Sequence, residues 1–565
     1  MNKDNSVHQV PDTPVLVDAF RKYHCPAVGS RAQALFFLSH YHADHYQGLS
    51  MEWSTGVIYC STITARLLTN IMGVQAQYVR ALPMHEEVPL PRNPGRGGRE
   101  EGGLSVTLLD ANHCPGACML LFRVRTCPGS TTGCNGGDGH GAEVSGRERD
   151  DEFTLHLHCG DMRYHPRMLH YAALLHDTTA SHPPRPPRPR KLDTIYLDTT
   201  YAHPKHAFAA QEDAIQSVGD LILARLRKEG REVAPGDPPT TATTSNNPKG
   251  GTLARQSSPS STTSSLPPPR PPFLPPPSAP SPRPKTLFLL SAYSIGKERL
   301  LLDVARRTRL PIYVDEAKMK ILDCLDLPPS RPPSPPSSLP PSPFTTDKTE
   351  TCLHVCRMGF CGEMWPFFKP NFSNLEKKLE EEAREGGGYT RVYAFIPTGW
   401  AEGSNFNRRN AVREKGGGGS EDGGKEGGGE ARIKVQLIPY SEHTPFADLL
   451  DFVGYLRPRR VVPTVWSDAK EKDRILRRFR GVLDDAEGKR AFLSLFGKPG
   501  GRKGGGKGGG KEGGREGGKE GGKEGGKEGR KEGGREGGKG RRDQGRAGRA
   551  RGGRTQRGTR RAALW

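Results

Sequence analysis

The sequence predicts an α/β protein whose packed body is interrupted by low-complexity insertions. Two observations lead there. Apolar runs short enough to be buried strands recur along the chain, and several pass straight into a helical pattern, as in KTLFLLSAYSIGKERLLLDVA at 285–305 and IKVQLIPYSEHTPFADLLDFVGYL at 433–456. Between such runs lie Pro-, Ser- and Gly-rich stretches. A chain of 565 residues with 33% hydrophobic content, 71 glycines and 50 prolines holds much sequence that cannot join a core.

Composition also narrows the class. A formal charge of +21 favours a polyanionic partner such as nucleic acid, although part of it lies in the C-terminal tail. No apolar run approaches the roughly 18 residues of a membrane span, and the polar start MNKDNSVHQV is no signal peptide. The eleven cysteines lack paired spacing, which fits a reduced intracellular compartment.

The stretch FFLSHYHADHYQGLS, Phe36 to Ser50, carries the strongest chemistry. An apolar run that reads as a buried strand is followed at once by His40, His42, Asp44 and His45. In extended chain His40 and His42 project to one side, because side chains alternate with a period of two. A lone histidine beside a strand is usually a satisfied polar residue. The whole H-x-H-x-D-H pattern is another matter, since imidazoles and a carboxylate crowded near a core need a cation, and this donor set is the one zinc prefers.

In chain order, PVLVDAF ends a candidate strand at Asp18, which can orient a ligand histidine or simply serve as a turn aspartate. STITARLLTNIMG reads as a helix with Ser61 at its N-cap, Ile63, Leu67 and Ile71 on one face, and Gly73 as its stop. LSVTLLDANHCPGACMLLF reads as two strands around a turn holding His113, HLHCGDMR as a strand delivering Asp161, and TIYLDTTY as a strand delivering Asp198. Arg231 to Pro284 should be disordered. The turn with Ser294, Gly296 and Lys297 is either a phosphate cradle, built from exposed N–H groups at a helix N-terminus beside a lysine, or an ordinary strand-to-helix turn with a surface lysine.

A second Pro/Ser linker runs from about Pro328 to Pro343. Cys352, His354, Cys356 and Cys361 lack zinc-knuckle spacing and read as core or incidental thiols. RVYAFIPTGW gives a strand ending at Thr398 and Gly399, a Gly-rich loop spans about Gly416 to Gly429, and His443 stands just before a helix that Thr444 and Pro445 suit as a start. From about Lys498 the KEGG and REGG units cannot bury a core; they suit non-specific nucleic-acid contact, nuclear import or plain solvation.

Taken together, VDAF, SHYHADHYQGLS, LLDANHCPGACMLLF, HCGDMR, IYLDTTY, YSIGKERLLL, AFIPTGW, IPYSEHTPF and LRPRRVVPTV resemble the DNA cross-link repair nucleases. These form a branch of the β-CASP group in the metallo-β-lactamase superfamily, and the 1A type of 5'-exonuclease is the most similar. The resemblance covers most ordered sequence from about Pro14 to Phe496. It implies an αββα metallo-β-lactamase sandwich with an inserted β-CASP domain. The parts would be the lactamase-like domain at 1–201 and 401–496, the insertion at 202–400 with disordered stretches near 231–284 and 328–343, and a basic Gly-rich tail at 497–565.

For the site, the resemblance implies that His40, His42, His113 and Asp161 bind one zinc, and that Asp44, His45, Asp161 and His443 bind a second. Asp161, Asp198 and His443 would be catalytic, while Ser294, Gly296, Lys297, Thr398 and Gly399 would receive a terminal phosphate. The activity implied is hydrolysis of DNA from a 5'-phosphate end, in interstrand cross-link and double-strand break repair. The partners would be single-stranded, 5'-phosphorylated or cross-linked DNA and repair proteins, with no membrane, and the chain would act as a monomer in the nucleus.

Three other readings stand beside this one. A structure-specific endonuclease of the Artemis kind would share every ligand. An RNA-processing β-CASP endonuclease would carry a late histidine where this chain has Val465. A non-enzymatic DNA-binding scaffold would have a broken ligand set, and here it is whole. Met162 stands where the family usually has Phe, Trp466 where it has a small polar residue, and no N-terminal ubiquitin-binding finger is expected.

Overall fold

The computed structural model describes residues 7–21, 34–91, 103–126, 153–176, 187–231, 285–327, 342–364, 367–401, 407, 409, 411–416 and 431–484. The bodies of the stretches expected to be disordered, the Gly-rich loop and the basic tail lie outside them. The first layer is a four-stranded parallel sheet of β1 (Val15–Val17), β2 (Leu35–Phe37), β3 (Ile58–Ser61) and β4 (Val79–Leu82), in that order. Alternation sorts its side chains. Val15, Val17, Leu35 and Phe37 share one core, while Leu16, Phe36 and Leu38 join another on the opposite face.

Helix α1 (Thr62–Asn70) follows β3, with Ser61 accepting from the Thr64 N–H as its N-cap. Its buried residues are Thr64, Ala65, Leu67 and Leu68, so the helix is turned from the face expected through Ile63 and Ile71, which are half-buried. The rotation goes with a contact distant in sequence: the Ser61 and Thr64 hydroxyls both donate to the Gly116 carbonyl, at 2.6 and 3.2 Å, and this fixes the first turn.

The second layer starts with β5 (Glu87–Pro89), β6 (Leu104–Asp110), β7 (Cys118–Arg125) and β8 (Phe153–His158), an antiparallel meander, and continues with β9 (Thr194–Leu197) parallel to β8. Leu104, Val106 and Leu108 of β6 and Leu120, Phe122 and Val124 of β7 face the first sheet. Phe37 ties the two layers. Its ring stacks on Tyr59 with centroids 5.1 Å apart and meets Phe122 edge-on at 5.1 Å.

After α2 (Gln211–Lys228), whose Ile215, Val218, Ile222 and Leu226 are buried at helical spacing, a new sheet begins. It takes in β10 (Lys285–Ala292), α3 (Glu298–Thr308), β11 (Ile312–Tyr313), α4 (Glu316–Leu322), β12 (Phe344–Thr345) and β13 (Leu353–Arg357). A small hairpin, β14 (Gly362–Glu363) with β15 (Lys369–Pro370), leads to α5 (Phe372–Arg384), β16 (Tyr389–Pro397), β17 (Val412–Lys415) and β18 (Ile433–Ile438). The strand order is β12-β11-β13-β10-β16-β18-β17, parallel except for β17. The return to the first body, expected at 401, therefore comes after Ile438, because β17 and β18 pair within this inserted sheet. Cys356 and Cys361 lie here with sulfurs 3.3 Å apart, and the described cysteines are all free thiols.

The chain then forms α6 (Phe446–Leu456), β19 (Arg460–Pro463) and α7 (Ala469–Phe479), and β19 pairs in parallel on β9 to complete a six-stranded second layer. Among the described residues no helix is long and apolar enough to cross a membrane. What matters for the site is a shared polarity. The neighbouring strands β10, β16 and β18 run the same way, and in open parallel sheets the crevice at the carboxyl ends is where ligands bind. Phe37→Ala should lower stability by about 3–5 kcal/mol in equilibrium urea unfolding, because it empties the contact between the two layers.

Candidate metal centre

Every candidate ligand follows the carboxyl end of a strand: His40, His42, Asp44 and His45 after β2, His113 after β6, Asp161 after β8, Asp198 after β9 and His443 after β18. Tight turns aim them inward. Asp18 and Asn112 adopt left-handed backbone, which short polar side chains tolerate. Gly160 also has positive φ (57°), and a Cβ there would lie 2.8 Å from the Cβ of Ser39, so only glycine lets the Asp161 turn approach the His40 segment.

The turns bring three overlapping groups together: His40, His42, His113 and Asp161; Asp44, His45 and Asp161; and Asp161, Asp198 and His443. Within each group the donor atoms lie within 4.8 Å of one another. In the first, His40 Nε2 is 2.9 Å and His113 Nε2 3.1 Å from His42 Nδ1, and Asp161 Oδ2 is 3.6 Å from His40 and 3.7 Å from His113. Donors at 2.0–2.1 Å around a tetrahedral zinc stand about 3.3 Å apart, so this set fits such an ion. The same oxygen, Asp161 Oδ2, is 3.3 Å from His45 Nε2 and 4.0 Å from His443 Nε2, and Asp44 Oδ2 is 3.8 Å from His45 Nε2. One carboxylate oxygen is thus shared between two donor sets.

Each ring's far nitrogen has a partner of its own. Asp18 Oδ2 accepts from His45 Nδ1 at 2.8 Å and from the Ser39 hydroxyl at 2.7 Å, and Ser39 Oγ lies 3.0 Å from His40 Nδ1. The orienting role of Asp18 is therefore the one the geometry favours over that of a turn residue. His42 Nε2 meets the Ile295 carbonyl at 3.1 Å, His113 Nδ1 the Glu442 carbonyl at 2.7 Å, and His443 Nδ1 the Asp198 Oδ2 at 2.8 Å. Such outer partners fix tautomer and ring angle. Asp198 also accepts from Met162 N, Thr200 N and Thr200 Oγ1, so it is a positioning residue behind His443 rather than a group facing substrate.

Electrostatics divides the histidines. Burial, and then the surrounding rings, holds His40 and His113 well below the ordinary imidazole pKa, and burial lowers His42 as well. Neutral imidazoles are what a metal needs. Burial works the other way on His45 and His443 too, but carboxylates outweigh it: Asp161 and Asp18 raise His45 well above its usual value, and Asp198 with Asp161 pushes His443 up to about 9. The Asp198 carboxyl, which burial alone would raise, is lowered by His443.

Comparison with known proteins finds a family model and several relatives. Residues 338–469, which include His443, match the family model described as DNA repair metallo-beta-lactamase. The chain is 30% identical over 490 residues to DNA ligase 6 of Arabidopsis thaliana, covering 86% of this chain and 25% of the relative. It is 28% identical over 476 residues to the DNA cross-link repair 1A protein of Homo sapiens (84% and 32%) and 25% over 458 to the 5' exonuclease Apollo of Danio rerio (81% and 52%). Over most of its length the chain is similar to DNA cross-link repair proteins and to a 5' exonuclease. It spans between a quarter and about half the length of these relatives.

In the turn expected to receive a phosphate, two amides and the lysine have partners within the chain. Ser294 is exposed, but the Gly296 N–H is held by both Glu298 carboxylate oxygens (2.8 and 3.0 Å) and the Lys297 N–H by Glu442 Oε1 (2.7 Å). Lys297 is not a surface lysine. It is buried, with its ammonium 2.8 Å from Glu442 Oε2. The physical reason is that amides at the start of α3 need acceptors, and two carboxylates from the chain itself supply them. Thr398 and Gly399 are buried beside the site: a Cβ on Gly399 would lie 2.6 Å from the Tyr201 hydroxyl, and the Tyr201 ring is 6.0 Å from that of His443. Glu442 and the Ile295 carbonyl were not legible as site groups, since the histidines they hold lie hundreds of positions away.

The His443–Asp198 pair gives a pH test. In chelator-treated protein an imidazole raised from 6.5 to about 9 on folding adds stability in full below pH 6.5, and that contribution drains away as pH rises towards 9. Thermal melting across that window should fall, and Asp198→Asn should flatten the slope.

Proposed function

We propose that this chain is a zinc-dependent DNA nuclease, and the observation that carries the reading is the single Asp161 oxygen shared by two donor sets. His40, His42, His113 and Asp161 would hold one ion, and Asp44, His45, Asp161 and His443 a second. Bound zinc supplies a Lewis acid and brings the pKa of water to about 7, the chemistry needed to hydrolyse a phosphodiester near neutral pH. The chain's own residues do the rest. Asp161 keeps the two sets in register, Asp18 and Asp198 fix His45 and His443, and the Ile295 and Glu442 carbonyls fix His42 and His113. The inserted sheet is the counterpart of a β-CASP domain in this reading, and the cleft lies between it and the two-layer body.

The substrate reading draws on the relatives. Relatives named for DNA cross-link repair and a 5' exonuclease support DNA, attack from a 5'-phosphate end, and a nuclear role in interstrand cross-link repair. Val465 supports DNA over RNA: it is exposed and carries no imidazole, and its backbone bonds Thr199 beside Asp198. A structure-specific endonuclease is the second reading, and one observation favours it. The turn expected to anchor a terminal phosphate already has its amides and lysine bound to carboxylates.

A denaturing-gel time course on 3'-labelled single strands separates the two. With 5'-phosphate, 5'-hydroxyl and hairpin substrates, an exonuclease gives a ladder that depends on the 5'-phosphate, whereas internal or hairpin cuts indifferent to the 5' end identify an endonuclease. Asp161→Asn should lower either activity by at least about 100-fold, because it weakens both donor sets together. Unchanged cutting by that variant overturns the site.

A further inference from the structure

We propose that Glu442 is a positioning residue through which the inserted sheet sets the angle of two imidazoles in the first donor set. The proposal rests on the metal reading above. Glu442 stands next to His443 on the loop after β18 and uses both of its ends. Its backbone carbonyl accepts from His113 Nδ1 at 2.7 Å. Its carboxylate accepts from the Lys297 N–H at 2.7 Å and the Lys297 ammonium at 2.8 Å.

That second grip reaches another ligand. Lys297 sits in left-handed backbone (φ 70°), a conformation a lysine keeps only when its surroundings hold it there. Two residues earlier in the same turn, the Ile295 carbonyl meets His42 Nε2 at 3.1 Å. Gly296 between them is pressed against the carboxylate: a Cβ there would lie 3.0 Å from Glu442 Oε2. The turn is braced from beneath as well, since the Lys318 ammonium donates to the Ser294 carbonyl at 2.8 Å and to Glu298 at 2.7 Å.

His42 and His113 are neighbours in the first donor set, 3.1 Å apart at Nδ1 and Nε2. The outer partner of each is a carbonyl from the inserted sheet, and Glu442 fixes both carbonyls. Glu442 and Lys297 are each about 5% exposed, so removing one charge strands the other without solvent. The expected relaxation is movement of the 295–297 turn and the 442 loop, with the two rings losing their shared aim. Outer partners of ligand histidines commonly contribute about 10- to 100-fold in metal affinity, and that is the size expected here.

The test uses the full chain and reads zinc affinity by chelator competition, melting of the chelator-treated protein, and kcat and KM on 5'-phosphorylated single-stranded DNA. Glu442→Gln should hold zinc about 10- to 100-fold less tightly and lose kcat with little change in KM. Lys297→Met should do the same, and the double variant should be no worse than either, because one interaction is removed in all three. Glu442→Asp, which keeps both charges but shortens the reach, should fall between and carries the test if Glu442→Gln does not fold. Zinc affinity within twofold of wild type in a folded Glu442 variant overturns the proposal while leaving the metal site intact. A wild-type chain that takes up no zinc overturns the metal reading and the proposal together.

Discussion

Imidazoles and carboxylates packed into one pocket cannot all keep the protonation they have in water, and the rest of this structure is arranged around that constraint. His40, His42 and His113 are driven neutral by burial, whereas His45 and His443 are held by carboxylates. The division follows from burial and the crowding of rings on one side and from nearby carboxylates on the other. Burial without a carboxylate partner leaves a ring uncharged, and an aspartate within reach draws a proton to it. Two layers of sheet, an inserted sheet and several tight turns serve to hold these contacts at hydrogen-bond distance with most of the groups out of water.

The inserted sheet is part of that constraint rather than an appendage. Its parallel strands β10, β16 and β18 end side by side, and their loops carry the Ile295 carbonyl, Gly399 and the Glu442–His443 pair to the pocket. The two-layer body brings most of the donors, and the insertion brings His443 together with the carbonyls that aim two of the others. Substrate arriving between the two would meet groups from both at once.

Much of this was legible from residues alone, and the reason is local. Each ligand sits within a few positions of an apolar run, so strand, turn and donor are read together: β2 with His40, β6 with His113, β8 with Asp161 and β9 with Asp198. The resemblance to a known family then joined motifs that periodicity could not. What escaped was set by distant partners. Lys297 read as part of a phosphate cradle or as a surface lysine, because nothing nearby in sequence shows that Glu442 lies 145 positions on and against it. The rotation of α1 came from the Gly116 carbonyl, and β17 and β18 could be assigned to a sheet only once their pairing partners were known. The place of each candidate donor after its strand is a short-range reading, whereas the wiring behind the donors is long-range.

The parallel pairing of β19 on β9 has a consequence for how the molecule is made. Thr194 and Arg460 are partners 266 residues apart, and the inserted sheet lies between them in sequence. On the ribosome, β9 therefore emerges long before its outer neighbour, and Ile195 and Leu197 wait at an unpaired, adhesive edge. A similar interval, 245 residues, separates Asp198 from His443, so the pocket stays unfinished for nearly as long as the edge stays open. Newly synthesised chain should depend on chaperone cover during that interval, and a slow late phase of refolding should report the closing of this edge.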